Sequence, residues 1–547
     1  MKKLLLLAPI IVLSGLIQLS AQQTVGLFIN SFDAYDGYTL FAPIGAKRTY
    51  LINNCGEEVH RWNSAYTPGL AVYFLENGNL LRTGLDPNVS FNGGGTGGII
   101  EIIDWNDNVL WTYIISSGVE CQHHDIGYLP NGNILAVVWD LKTQAEASLA
   151  GRVTFGTSLW SEKIVEIEPD LINGTGTVVW EWKAWDHLVQ DVDSTRENYG
   201  IVADSPGLIN INFYLNDPTK KDWLHFNSVD YNAKLDQIVI SNHNFNEIWI
   251  IDHSTTITEA ASSEGGSCGV GGDLLYRWGN PQSYNKGTAA DRKLFLQHNA
   301  YWIDSAYVDG GMIMIFNNRA GTPVNYSTVN IIDPPLDSLG NYTYTGSAYA
   351  PSVFHWTYTA PIPTDFYGAN ISGAQRLPNG NTLICAGPSG RFFEVDYTGE
   401  ELWRYVNPVT PTGALVQGSP ASANRSFRAE RYAKDYPGFD DNTPVSVGYI
   451  ETGSTFPCET YNSVEDKAPN AWSLVYPNPA NSEITVSTDY IITSVSIYNL
   501  TGVKMLEYRP NSQIRTVNIE HLAAGLYFVK VLSAKGQLES HKIVIKK

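Results

Sequence analysis

The sequence predicts an all-β protein, a six-bladed β-propeller followed by a small immunoglobulin-like β-sandwich. Three observations carry this expectation. The composition favours strands and tight turns: aromatic residues make up 12% of the 547, glycines number 48, and only 16% of residues are charged. Tryptophan recurs near the end of similar strand phrases, at Trp62, Trp111, Trp180, Trp278, Trp356 and Trp403, spaced 47 to 98 residues apart. Between these phrases lie hairpins with a shared turn, "LENGNLL" from Leu75, "LPNGNIL" from Leu129 and "LPNGNTL" from Leu377, where Asn-Gly is expected to supply positive φ angles. Six such units repeat too regularly for a sandwich and suit the blades of a propeller.

The segments follow in order. Residues 1–21, "MKKLLLLAPIIVLSGLIQLSA", have two lysines, an apolar core and small residues near the end, the pattern of a secretory signal cut after about Ala21. The propeller is expected over 22–455, a polar, irregular linker over 456–471, and the sandwich over 472–547, where short alternating strands resume. No later run offers the roughly 20 apolar residues of a membrane helix, so a soluble protein, secreted or held at the cell surface, is expected. The formal charge of -20 argues against nucleic acid or an anionic membrane as partner, since both call for a basic face. Five scattered cysteines show none of the close pairs of zinc sites. No cofactor is expected, and the disulfide pairing is unreadable.

Chemistry enters with histidine, of which there are 11. Lining up the hairpins on their turns puts His124, His225 and His298 each five residues ahead of the equivalent positions Leu129, Asp230 and Ile303. Side chains in a strand alternate with period two, so equal register implies equal direction. The first strand of each blade lines the central channel, and the three imidazoles are expected to converge at one rim. In two further hairpins the matching positions hold Leu70 and Ser372. The return strands "DQIVISNHNFN" and "GMIMIFNNRAG" bring Asn242, His243 and Asn244, and Asn317, Asn318 and Arg319, to the same rim. The expected mouth is lined by His124, His225, His243 and His298, with Asp125, Gln297, the amides and Arg319 around them. His123 is expected to face outward and His355 to pack beside Trp356. His60, His187, His253, His521 and His541 receive no role. The "GTGG" near Gly95 is a weak phosphate-loop signal because no helix follows it.

The phrases "HHDIGYLPNGN", "DWLHFNSVDYN", "LFLQHNAYW", "GAQRLPNGNTLICAGPSGRFFEVDYTGEELWRY" and "FRAERY" resemble the bacterial arylsulfate sulfotransferases, from about residue 27 to 440. The resemblance implies a six-bladed propeller of the periplasm or cell surface. It would move a sulfuryl group from a small aromatic sulfate to a phenolic acceptor through a sulfated histidine, without a nucleotide sulfate donor. By motif His298 matches the family's nucleophile, and His124 and His225 match its two flanking histidines. A family arginine that ends a return strand is replaced here by His243, which implies a lower pH optimum and partial substitution by Arg319. Arg319, Asn318, Asn317 and Gln297 are the expected substrate contacts. In the tail, "YPNPA" from Tyr476, "SIYNLTG" from Ser496 and "LAAGLYFVKV" from Leu522 resemble the C-terminal sorting domain of type IX secretion cargo in Bacteroidetes, which implies the outer-membrane secretion machinery as partner. Two other readings stay open: a noncatalytic surface-binding propeller, and a metalloenzyme whose ion is held by the histidines and Asp125.

Overall fold

The computed structural model describes residues 23–547 apart from 88–89, 155, 215–216, 322–323, 338–339, 345, 455–457, 459–472, 500–502, 536–537 and 547. The expected signal segment and all of the expected linker but Cys458 lie outside the described residues. The chain divides into two compact units, 1–459 and 460–547.

The first unit is a propeller of six blades, each a four-stranded antiparallel meander at its core. In chain order the innermost strands are Pro68–Phe74, Glu120–Tyr128, Phe226–Asn232, His298–Trp302, Gly373–Arg376 and Ser426–Ala433, belonging to blades 1 to 6. Blade 6 is built from both ends of the unit: the late strand Ser426–Ala433 pairs with the early strand Gly37–Pro43, on which Arg48–Ile52 and Glu57–Asn63 are laid. The early strand Gly26–Asn30 adds a fifth, outermost member to blade 5. Both ends of the ring are thus hydrogen-bonded into neighbouring blades, which removes the open edges of a linear array.

All six repeated tryptophans sit on the fourth, outer strand of a blade. The bulky indole there fills the widening gap toward the next blade; Trp111, for example, donates to the Thr175 carbonyl of blade 2 at 2.7 Å. The shared turns differ from expectation in one respect. Only the glycines, Gly78, Gly132 and Gly380, have positive φ, at 81°, 90° and 89°. Each preceding asparagine instead accepts the backbone N–H two residues on, with Asn131 Oδ1 3.0 Å from Asn133 N. An Asx turn closes the loop, and only one residue has to occupy the left-handed region.

The inner strands are pinned to one another by side chains. Asp125 accepts the Val229 N–H of the next blade at 3.2 Å, Ser228 the Ala300 N–H at 2.9 Å, and Asn299 the Ala374 N–H at 2.9 Å. Arg428 of blade 6 reaches across the channel to Asp125 (2.8 Å), the Tyr73 hydroxyl (3.0 Å) and the Asn227 carbonyl (2.9 Å). One disulfide joins Cys55 to Cys458; Cys121, Cys268 and Cys385 are free.

The second unit is one sheet organised by the long strand Glu483–Asn499. Its first half pairs with Ser473–Tyr476 and Ser512–Asn518, its second with Lys504–Tyr508 and Gly525–Ser533. The two leaves enclose Ile484, Val486, Ile497, Val517, Val529 and Ile543. The result is the small sandwich expected, curled almost into a barrel.

Candidate active site

Four imidazoles meet at one mouth of the channel. The ring centroids of His124 and His225 are 4.6 Å apart, those of His225 and His243 4.9 Å, and those of His243 and His298 5.3 Å. The turn alignment brought these residues together, but simple strand alternation does not aim them. Register shifts interrupt the pairing beside His124, His225 and His298. His124 and His225 lie in the left-handed region at φ 52° and 60°, and bulges of this kind redirect a side chain. The hairpin of blade 3 then folds His243 back, its N–H 3.3 Å from the His225 carbonyl.

The other three blades contribute no imidazole. Leu70, Ile371 and Phe427 form a buried apolar cluster, and the Phe427 ring lies 6.2 Å from that of His124. The mouth is therefore divided, with hydrogen-bonding rings from blades 2 to 4 facing an apolar wall from blades 1, 5 and 6.

Each imidazole is oriented by a partner at Nδ1. The Asn318 amide donates to the carbonyls of Gly368 (2.7 Å) and Ile371 (2.9 Å), which leaves its Oδ1 to accept from His298 Nδ1 at 2.8 Å. That arrangement puts the ring proton on Nδ1 and the lone pair on Nε2. Burial drives the His298 pKa down to about 3; the Asn318 bond opposes this, while His225 and Arg428 add to it. His243 repeats the device. Asn244 donates its amide to the Asp222 carbonyl at 2.8 Å and accepts from His243 Nδ1 at 2.9 Å. Burial, and then its neighbours His225 and His298, hold His243 well below the usual imidazole range.

His225 Nδ1 is hydrogen-bonded to the Asp222 carboxylate. Burial works to raise that carboxyl, but the adjacent His225 outweighs it and Asp222 stays below its ordinary range. His124 Nδ1 lies 2.8 Å from Nδ1 of His123, whose Nε2 lies 2.6 Å from Glu162 Oε2. His123 does not face solvent as expected: it is fully buried and stacked on Trp139 at 3.9 Å. Trp139 in turn donates to Asp222 at 3.2 Å, joining the two networks.

Of the residues expected to touch substrate, three are buried and one is exposed. Gln297 and Asn317 are buried: Gln297 Nε2 donates to the carbonyls of Asn242 (2.9 Å) and Glu247 (2.8 Å), while Asn317 accepts from Phe295 N (2.8 Å) and donates to the Lys293 carbonyl (3.0 Å). Asn318 is buried behind His298. Arg319 is exposed on the turn and makes no side-chain hydrogen bond or ion pair among the described residues. The cation beside His243 is Lys220, with Nζ 3.3 Å from Asn244 Oδ1. Asp125 lies deeper, in its ion pair with Arg428.

Sequence reasoning passed over His123, Glu162, Asp222 and the orienting role of Asn318. The "HHD" phrase held a signal for His123. Nothing local marks Glu162, which sits across from Trp139 on the third strand of blade 2.

Residues 108–411 match the family described as Arylsulfotransferase (ASST). The chain belongs to the arylsulfotransferase family. Residues 474–546 match the secretion system C-terminal sorting domain. This tail suggests export and placement outside the cell or at its surface, and implies the secretion machinery as partner. No helix of the described residues is long and apolar enough to cross a membrane. No curated protein matches the chain. Similar solved structures include a protein of unknown function from Bacteroides caccae, at 13% identity over 68% of this chain and 93% of that one, with a TM-score of 0.35. A functionally unknown protein from Desulfotomaculum acetoxidans has 10% identity over 73% of this chain and 100% of that one, TM-score 0.35. A streptogramin B lyase has 10% identity over 71% and 84%, TM-score 0.33. Likeness at this level says nothing of activity.

Proposed function

We propose that this arylsulfotransferase family member carries a sulfuryl group from an aryl sulfate to a phenolic acceptor on His298, without a nucleotide sulfate donor. The observation that carries this reading is the Asn318–His298 pair, which leaves the lone pair on Nε2 of a ring that burial keeps neutral. Nε2 attacks sulfur as the S–O bond breaks, its electron pair leaving on the phenolate. In the second step the acceptor oxygen attacks the same sulfur and the N–S bond returns its pair to Nε2. Splitting one transfer into two in this way predicts ping-pong kinetics. His124 stands beside His243 and His298 as a donor to the sulfuryl oxygens and the departing phenolate, and the Asp222 carboxylate orients the neighbouring His225 at Nδ1. The aromatic ring of either substrate fits the wall of Leu70, Ile371 and Phe427.

A noncatalytic binder would not call for a nucleophile with a fixed tautomer. Among the described residues no group of three or more His, Cys, Asp or Glu side chains has the geometry to hold a metal ion. The test is mass spectrometry after brief exposure to an aryl sulfate: the peptide containing His298 gains one sulfuryl group, lost in acid and lost on adding a phenol. An unmodified His298 peptide, under conditions where transfer proceeds, refutes His298 as the carrier.

His243 sets the pH dependence. Its Nδ1–H is engaged by Asn244, so it can donate to a sulfuryl oxygen from Nε2 only when protonated. Its pKa is lowered well below the ordinary imidazole value, hence the ring is neutral at pH 7 and gains the useful proton only as the pH falls well below that value. His298 remains a nucleophile until about pH 3. The wild-type rate is expected to climb toward acid, and His243→Arg to flatten that limb and raise kcat/KM at pH 8 about tenfold, because arginine is charged throughout. A pH–rate profile unchanged by the substitution would remove His243 from the site.

A further inference from the structure

We propose that His124, His123 and Glu162 form a proton relay in which the Glu162 carboxyl stores the proton exchanged by the two half-reactions. The proposal rests on the sulfuryl-transfer reading above and adds a group that never touches substrate. Two links define the wire: His124 Nδ1 to His123 Nδ1 at 2.8 Å, and His123 Nε2 to Glu162 Oε2 at 2.6 Å. His123 and Glu162 are wholly buried. The Phe226 N–H occupies the other carboxyl oxygen at 3.1 Å, so Oε2 is the atom committed to the relay. Trp139, stacked on His123, holds that ring in line with both partners.

The wire has two self-consistent settings. In the loaded one, the Glu162 O–H donates to His123 Nε2, the His123 Nδ1–H donates to His124 Nδ1, and His124 presents Nε2–H to the ligand. When the aryl oxygen leaves sulfur with its electron pair, it takes that proton. The His123 proton moves to His124 Nδ1, and the Glu162 proton moves to His123 Nε2. Glu162 is then a carboxylate and His124 Nε2 holds a lone pair. The acceptor phenol reverses every step: its O–H proton goes to His124 Nε2 and one proton returns to Glu162. Both rings stay neutral in either setting, so the transfer does not require a buried imidazolium at His123 or His124.

The surroundings favour this division of labour. Burial first, then the neighbours His225, His123, His298 and His243, pushes His124 well below the usual imidazole range. Burial and His225 do the same to His123 against the pull of Asp222. Burial, and then Asp222, pushes the Glu162 carboxyl well above the carboxylate range, although the backbone N–H groups of Phe226 and His225 and the Trp139 side chain pull the other way. Two nearby carboxyl groups driven apart, Asp222 toward the anion and Glu162 toward the acid, are the pattern of an assigned base and acid.

The test compares two donors in wild type and Glu162→Gln. 4-Nitrophenolate is a weak base and departs without a proton, whereas phenolate needs one. In a ping-pong scheme kcat/KM for the donor reports the first half-reaction alone. Glu162→Gln is expected to lose about 100-fold with phenyl sulfate and less than about threefold with 4-nitrophenyl sulfate, the range for removing a general acid. The ratio of the two rates does not depend on how much of the variant folds. Should Glu162→Gln yield no folded protein, Glu162→Asp, which withdraws the acid by one methylene, shifts the same ratio in the same direction by about tenfold. An unchanged ratio in a wild type that transfers both donors overturns the relay alone. A wild type inert toward both donors overturns the sulfotransferase reading with it.

Discussion

His298→Gln is expected to abolish sulfuryl transfer, with kcat/KM lowered by more than roughly 10⁴-fold, the scale seen when a covalent nucleophile is removed. Glutamine keeps a side chain of similar reach that can donate to Asn318 Oδ1, but its amide has no basic nitrogen to attack sulfur. The sharper measurement is pre-steady-state. Wild type mixed with 4-nitrophenyl sulfate and no acceptor should release one burst of nitrophenolate per chain, and His298→Gln should release none. His243 makes this outcome informative. It is the one other ring of the four whose Nδ1 is held by an asparagine oriented through a backbone carbonyl, so its Nε2 carries a lone pair as well. A full burst in His298→Gln would transfer the nucleophile's role to His243, and the motif match to His298 would then be an accident of position.

How much of this could be read from the chain depends on the distance over which each feature acts. The blades were legible because each repeats a local pattern. A tryptophan lies on the outer strand of every blade and a glycine turn closes the inner hairpin of three, and both lie within one unit of sequence. The expectation for the turns failed only in attributing to asparagine a backbone angle that glycine alone supplies. The four histidines were legible for the same reason, since a turn fixes register over a few residues. Their aim was not, because it comes from bulges and positive φ angles at His124 and His225, which period-two reasoning ignores. His123 shows the limit of alternation. It does point to the other face from the channel, but that face is the interior of blade 2 against Trp139, not solvent. Glu162 reaches His123 only when the first three strands of blade 2 pair, whereas Asp222 lies three residues before His225 and was within reach of a local reading. Gln297, Asn317 and Asn318 are buried, and their hydrogen bonds run to backbone and to His298, contacts that a strand pattern does not reveal.

Asn318→Leu tests the orienting pair directly, and an approximately 100-fold loss in kcat is expected at little change in donor KM, in line with the cost of losing a positioned reactant. Leucine matches the volume of asparagine well enough to fill the site, but offers His298 Nδ1 no acceptor. The ring then gains access to the Nε2–H tautomer, in which the nitrogen needed for attack holds the proton, and to rotations the amide forbids. A structural objection arises because the same amide satisfies the carbonyls of Gly368 and Ile371, and two orphaned buried acceptors cost stability. Burst kinetics separate the two effects. Loss of folded protein lowers the burst amplitude and leaves its rate alone, whereas a wrong tautomer or a wandering ring lowers the rate at an amplitude still near one per chain. A reduced amplitude with wild-type rate would make Asn318 a residue of the fold and take from it the choice of tautomer at His298.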